Sequence, residues 1–300
     1  MILGNRGARP AKRGLHKLLM DAKKLQSFLI GVLLLLASGH SSRAEISAPA
    51  NYNDRITITA EIWCPYACQP GARQPGILVE IVQEIFEQEG ITVDYHLLPW
   101  RRALMETESG GSDGILGVVK GNRGTLLLDE HGMGVDETVI VVRKDSNFTY
   151  SEPESLDSLR LGVIINYTYD NNGELDSYLV ERSRKQDRIV TIYRDEPIKS
   201  LIKLLSGNRI DGFLENRQVT NYEGNRLNFK DHIQIISTGL SDTIHVGFTP
   251  NNRGRRNLDI YNRGLARMLK SGKVEEIVKK YDLEEVPMKI NPRAGNDADN

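Results

Sequence analysis

Six consecutive residues, Trp63-Cys64-Pro65-Tyr66-Ala67-Cys68, hold both cysteines of the 300-residue chain and open three chemical options. A Cys-x-x-x-Cys pair could exchange thiols, supply part of a metal site, or close a disulfide that presents Trp63 and Tyr66. Thiol exchange ordinarily uses two intervening residues, and this pair has three. A structural zinc needs four ligands, and His96, His131, His232 and His245 show no ligand spacing with one another or with the cysteines. Neither metal nor cofactor is therefore expected, and a Cys64 to Cys68 disulfide is. So short a closed loop contributes only about 2 kcal/mol, so its effect should be local. Trp63 and Tyr66 serve equally well as ligand contacts or as core aromatics.

A second pattern, Gly110-Gly-Ser112-Asp-Gly114, matches a nucleophile elbow in letters only. An elbow needs a strand before its serine and a helix after it, whereas here a helix precedes and a strand follows. No glycine-rich phosphate loop of either common spacing is present.

The disulfide depends on compartment, and the N-terminus speaks to that. Residues 1–44 read as a cleaved secretory signal: a basic n-region, an apolar run Phe28 to Ala37, then Ser42-Arg43-Ala44 with small residues spaced for cleavage. A ten-residue run falls well short of the roughly 20 needed to span a bilayer, which argues against a retained anchor. Removing these residues, with eight Lys/Arg and one Asp, from 39 basic and 40 acidic side chains leaves 31 and 39, a net charge of −8. So acidic a chain is a poor match for nucleic acid or anionic lipid.

The elements that must position these residues follow a strand–helix alternation. Ile56 to Ile62 has a two-residue period, and Leu78, Ile81, Val82, Ile85 and Phe86 share one helix face before Gly90 stops it. Strand Thr92 to Leu98, helix Arg101 to Glu108 and strand Gly114 to Val119 complete a β-α-β-α-β unit. The pattern restarts with strand Arg160 to Ile165, helix Leu175 to Ser183, strand Ile189 to Tyr193, helix Pro197 to Leu205 and strand Asp211 to Leu214. Ile233 to Ile236, a polar turn, strand Ile244 to Thr249 and two helices separated by Gly272 follow. Two similar α/β lobes with parallel strands are predicted. An internal echo agrees: Ser109-Gly-Gly-Ser-Asp113-Gly114-Ile-Leu recurs, with one insertion, as Ser206-Gly-Asn-Arg-Ile-Asp211-Gly212-Phe-Leu.

Trp63-Cys-Pro-Tyr66, the helix from Gly76 to Phe86, Pro99-Trp100-Arg-Arg102-Ala103-Leu104, Ser109 to Asp113, Val141 to Asp145, Arg160 to Val163, Ser206 to Asp211 and Ser271-Gly272 together resemble extracellular solute-binding proteins of family 3. These serve polar amino-acid ABC transporters. The resemblance implies a periplasmic-binding-protein-like fold, two α/β lobes joined by a two-segment hinge: residues 45–143 plus 239–287 in lobe one and 144–238 in lobe two; the Gly/Asn/Asp-rich end, without an apolar period, reads as a disordered tail over 288–300. It implies a periplasmic monomer without catalysis that captures a small polar ligand, an amino acid or related carboxylate, for an ABC permease at the inner membrane. Arg123 stands where the family holds the ligand carboxylate, as a planar two-pronged donor. Lys120 replaces the usual Thr, and the Asp113 to Arg123 interval is short. Glu215 or Asn216 stands where an acid takes the ligand amino group. Backbone N–H groups at Tyr167, Thr168 and Tyr169, ahead of a helix, could hold an anion, and Trp100 and Arg102 close the same end of the sheet. Two alternatives stand: a dehydratase-like enzyme on this fold, with Glu215 or a histidine as proton donor, or a receptor presenting ligand to a membrane sensor.

Overall fold

The alternating Ile-Thr run forms strand β1 (Arg55–Ala60), and its buried isoleucines face helix α1 (Ile77–Gln88). Ile77, Leu78, Ile81, Val82, Ile85 and Phe86 are each no more than 1% exposed, and burial of such a side chain stabilises by about 1.5–3 kcal/mol. In a computed structural model that describes residues 55–185, 188–193, 196–281 and 283, this unit is the start of one of two five-stranded sheets. The expected signal (1–44) and tail (288–300) lie outside the described residues.

The first sheet adds β2 (Thr92–Leu97), α2 (Trp100–Ser109), β3 (Gly114–Val118) and the short β4 (Leu127–Leu128). The second contains β5 (Val135–Arg143), β6 (Leu161–Ile164), β7 (Ile189–Ile192), β8 (Gly212–Asn216) and β9 (Ile233–Thr243). Helices α3 (Glu174–Lys185), α4 (Pro197–Ser206) and α5 (Arg217–Arg226) connect or follow its strands. Strand β10 (His245–Phe248) then returns to the first sheet, followed by α6 (Asn252–Ser271) and α7 (Lys273–Lys279). Gly272, at φ 76°, separates the last two helices as expected.

The strand orders are β2-β1-β3-β10-β4 and β7-β6-β8-β5-β9. In each sheet three parallel strands are followed by antiparallel ones. The fold is that of the two-lobed periplasmic binding proteins, and the chain crosses between sheets twice, before β5 and between β9 and β10.

Two sequence expectations move. The polar turn after Ile236 is strand, because β9 runs unbroken to Thr243 beside β5, pairing Val139 with Ser237, Glu137 with Ser241 and Val135 with Thr243. It is an edge strand with one solvated face, so alternating polar residues suit it. The second move concerns the crossings. The resemblance puts residues 135–143 and 239–243 in lobe one, yet β5 is an inner strand of the second sheet, with Val139 to Val142 fully buried. Antiparallel pairing between β5 and β9 carries both strands into that sheet together.

The internal echo has a physical basis. Asp113 takes the backbone N–H of Thr57 on its carboxylate (2.9 Å) and returns its own N–H to the Thr57 carbonyl (2.9 Å). Asp211 makes the same pair of bonds with Arg160 (2.9 and 2.8 Å). Each aspartate latches the third strand of a unit to the first strand of that unit.

Candidate functional site in the cleft between the sheets

Beyond the C-terminal end of β1, the chain turns through a loop stapled by the Cys64–Cys68 disulfide, as expected, with Cα atoms 4.9 Å apart. Trp63 and Ala67 exchange backbone hydrogen bonds of 2.7 and 3.0 Å across it. The loop rests on the start of α1: Ile77 and Leu78 donate to the carbonyls of Pro65 and Tyr66. Gly76 permits this approach, since its φ is 124° and a Cβ there would lie 2.5 Å from the Tyr66 carbonyl oxygen. Tyr66 is fully buried against Trp63, ring centroids 4.6 Å apart, and its hydroxyl faces the Asn216 side chain without a well-formed hydrogen bond.

Trp63 reaches the opposite lobe. Its indole Nε1 donates to Glu215 Oε1 at 3.4 Å, and the same oxygen accepts the Asn216 N–H at 2.8 Å. Glu215 is 2% exposed, and its Oε2 has no partner among the described residues. Three further bonds tie the lobes at the rim, from Asn122 Nδ2 to Thr168 Oγ1 (3.4 Å), from Gly121 N to Asn171 Oδ1 (3.1 Å) and from Asn172 Nδ2 to the Gly121 carbonyl (3.5 Å).

Between these contacts lies a cavity of about 60 Å³. Lobe one contributes Glu61, Trp63, Trp100, Gly117 and Asn122 to its walls, and lobe two contributes Asp136, Tyr167 and Thr168. Among the described residues, no Lys, Arg or His lines it. An adjoining space of about 80 Å³ shares Val119, Asp136 and Thr168 and adds Tyr169, Asp170 and Asp242.

The carboxyl groups here are uncomfortable as anions. Burial pushes Glu215 up to about 8, with the Asn216 N–H and Trp63 indole pulling the other way and the charges of Asp136 and Glu61 adding to the rise. Burial also raises Asp136 to about 6, against the Asn216 amide (2.9 Å) and with help from Asp242. Glu61 is raised by burial, partly offset by bonds from the Trp100 backbone and the Tyr167 hydroxyl.

Of the residues singled out from sequence, Trp63, Trp100, Tyr167 and Thr168 line the cavity, and Glu215 meets it through Trp63. Asn216 instead caps α5, accepting from the Gln218 and Val219 N–H groups. Tyr169 is buried, its hydroxyl accepting from Ile164 N (2.8 Å). Arg102 stands on the solvent face of α2, paired with Glu106 one turn on (2.9 Å). Arg123 is exposed just past the 3₁₀ turn Lys120–Asn122, and Asn122 takes the inward place. Of the N–H groups expected to hold an anion, those of Tyr167 and Tyr169 are already taken, the first by the Ile164 carbonyl (3.3 Å). Asp176 accepts from Tyr169 (2.8 Å) and Asn172 (2.8 Å), and Asp170 accepts from Gly173 (2.9 Å) and Leu175 (2.6 Å).

Sequence reasoning passed over Glu61, Asn122 and Asp136. Glu61 had a readable signal, an acid at the end of a strand two residues before Trp63. Asp136 had none, because its place depends on β5 joining the second sheet.

The sequence profile of the bacterial extracellular solute-binding proteins, family 3, matches residues 56–284, and the chain belongs to that family. Curated proteins gave no match. Solved structures share the fold at low identity. A histidine-bound substrate-binding protein of an ABC uptake transporter from Streptococcus pneumoniae is 20% identical, with TM-score 0.63 over 78% of this chain and 94% of that one. A histidine kinase sensor domain similar to periplasmic binding proteins is 19% identical, with TM-score 0.62 over 76% and 95%. An ancestral arginine-binding protein bound to glutamine is 15% identical, with TM-score 0.61 over 76% and 97%. Among the described residues, no helix is long and apolar enough to cross a membrane.

Proposed function

We propose that this protein is a periplasmic receptor that captures a small, amine-bearing polar solute between its lobes and delivers it to an ABC permease. Amino acids are the compounds to try first. One observation carries this: Glu215 Oε2 is buried without a partner beside a cavity walled by Glu61, Asp136 and aromatic rings, and a ligand N–H would satisfy it. Trp63 and Glu215 come from different lobes, so a ligand touching both favours the lobes held together. The family membership supports capture rather than chemistry. A second reading, presentation of the ligand to a membrane sensor, is supported by the likeness to a histidine kinase sensor domain.

A thermal-shift screen of amino acids and amines tests capture. A ligand at 100 times its dissociation constant stabilises the folded state by about 2.7 kcal/mol, a plain rise in melting temperature. No rise with any compound, or consumption of the compound that binds, would sink the proposal.

A further inference from the structure

We infer that the cleft takes an organic cation, held by carboxylates and aromatic rings, and that it provides no anchor for a ligand carboxylate. This rests on the capture proposed above and concerns the charge of what is captured.

A carboxylate anchor needs a guanidinium, an ammonium or free backbone N–H groups. Among the described residues, no such cation lines the cavity. The two arginines near its rim are accounted for: Arg102 is exposed and bonded to Glu106, and Arg123 is exposed outside the walls. The loop ahead of α3, where N–H groups converge, binds two carboxylates of its own chain, Asp170 and Asp176. The start of α1 is likewise closed, its first N–H groups bonded to Pro65 and Tyr66.

The charged groups that do face the cavity favour a positive ligand. Glu61 and Asp136 line it from opposite lobes, Glu215 lies behind Trp63, and Asp242 lies in the adjoining space. Asp136 has a neutral amide beside it, Asn216, and Glu215 an indole, so the neighbours that bond these acids bring no counter-charge. Trp63, Trp100 and Tyr167 add π faces of the kind that attract ammonium and guanidinium groups. The unpartnered Oε2 of Glu215, on a residue only 2% exposed, is an independent sign of a missing partner. Several acids around one cavity are costly to ionise, and a bound cation offsets that cost where a zwitterion would bring a further carboxylate into it. Among the described residues no cluster of His, Cys, Asp and Glu has the arrangement of a metal site, which leaves the acids to an organic cation.

Matched pairs that differ only by the carboxylate read this directly. Calorimetric titration of the protein with arginine and agmatine, lysine and cadaverine, histidine and histamine, and tyrosine and tyramine should give, in any pair that binds, an amine at least as tight as its amino acid. Glu215→Gln should weaken that amine at least tenfold with the melting temperature of the free protein maintained or raised. An amino acid binding tenfold tighter than its amine overturns the inference and leaves capture standing, as does binding of glutamate or serine with all amines silent. Silence from every amino acid and every amine overturns capture as well.

Discussion

The two lobes share a frame and differ where they face each other. Both sheets follow one order, second strand, first, third, then two antiparallel strands, and both use an aspartate at the start of the third strand as a latch to the first. At the cleft the resemblance stops. Lobe one presents Trp63 and Trp100 on a disulfide-stapled loop and a helix start, with Glu61 as its acid in the cavity wall. Lobe two presents Asp136, Glu215 and tyrosines, and commits its loop N–H groups to Asp170 and Asp176. The frame is fixed by backbone pairing, whereas the loops at the strand ends are free to diverge, so a repeated scaffold carries two unlike halves of one site.

The latches are the strongest test of the shared frame. Asp113→Ala and Asp211→Ala should each cost about 1.5–3 kcal/mol, the range for hydrogen bonds to a charged group. Urea denaturation midpoints would show this. If one substitution is silent while the other is not, the equivalence of the two units fails.

A pH series on the free protein sharpens the contrast at the cleft. Glu215 at about 8 and Asp136 at about 6 are both raised above their unfolded values, 4.5 and 3.8. Their contribution to stability is therefore complete below about pH 4 and is lost as pH rises to about 8. Glu215 is faced by Glu61 and Asp136, by Trp63 and by the buried Tyr169, with no cation among them to reverse the sign. The melting temperature should fall between pH 5 and 8, and Glu215→Gln should flatten most of that fall. A rise over the same range would mean the acids carry charge comfortably. The latch aspartate of the same lobe behaves oppositely: Arg160 holds the Asp211 carboxyl well below its usual range, so its contribution is complete above about pH 5 and is lost progressively as pH falls below about 4.

The smallest expected effect is at Arg123. Arg123→Ala should change the affinity for any bound amine less than about twofold, since the side chain is exposed and outside the cavity walls. A tenfold loss, measured by the same titration, would return this arginine to the site.

Local pattern carried much of the fold. The isoleucine period of β1, the apolar face of α1 and the Asp-Gly echo all act through near neighbours or short repeats, so they are legible in one dimension. The disulfide was legible too, from two cysteines four positions apart in a chain with an apparent export signal. Strand β9 was only half legible, because a polar edge strand carries the same residue types as a turn and its hydrogen bonds go to β5, about a hundred positions away. Glu215 was read as a candidate from its place after the Asp-Gly strand, but nothing local separated it from Asn216. Tertiary structure decided that, sending the Asn216 side chain to cap α5 and leaving one oxygen of Glu215 without a partner.

Residue pattern alone defines two α/β units and a stapled Trp63 to Cys68 loop. Only the tertiary structure decided the sign of the cleft. Charge at a site is set by which side chains converge there, and that convergence joins Glu61, Asp136 and Glu215 from separate strands while turning Arg102 and Arg123 outward to water, where a guanidinium loses no hydration.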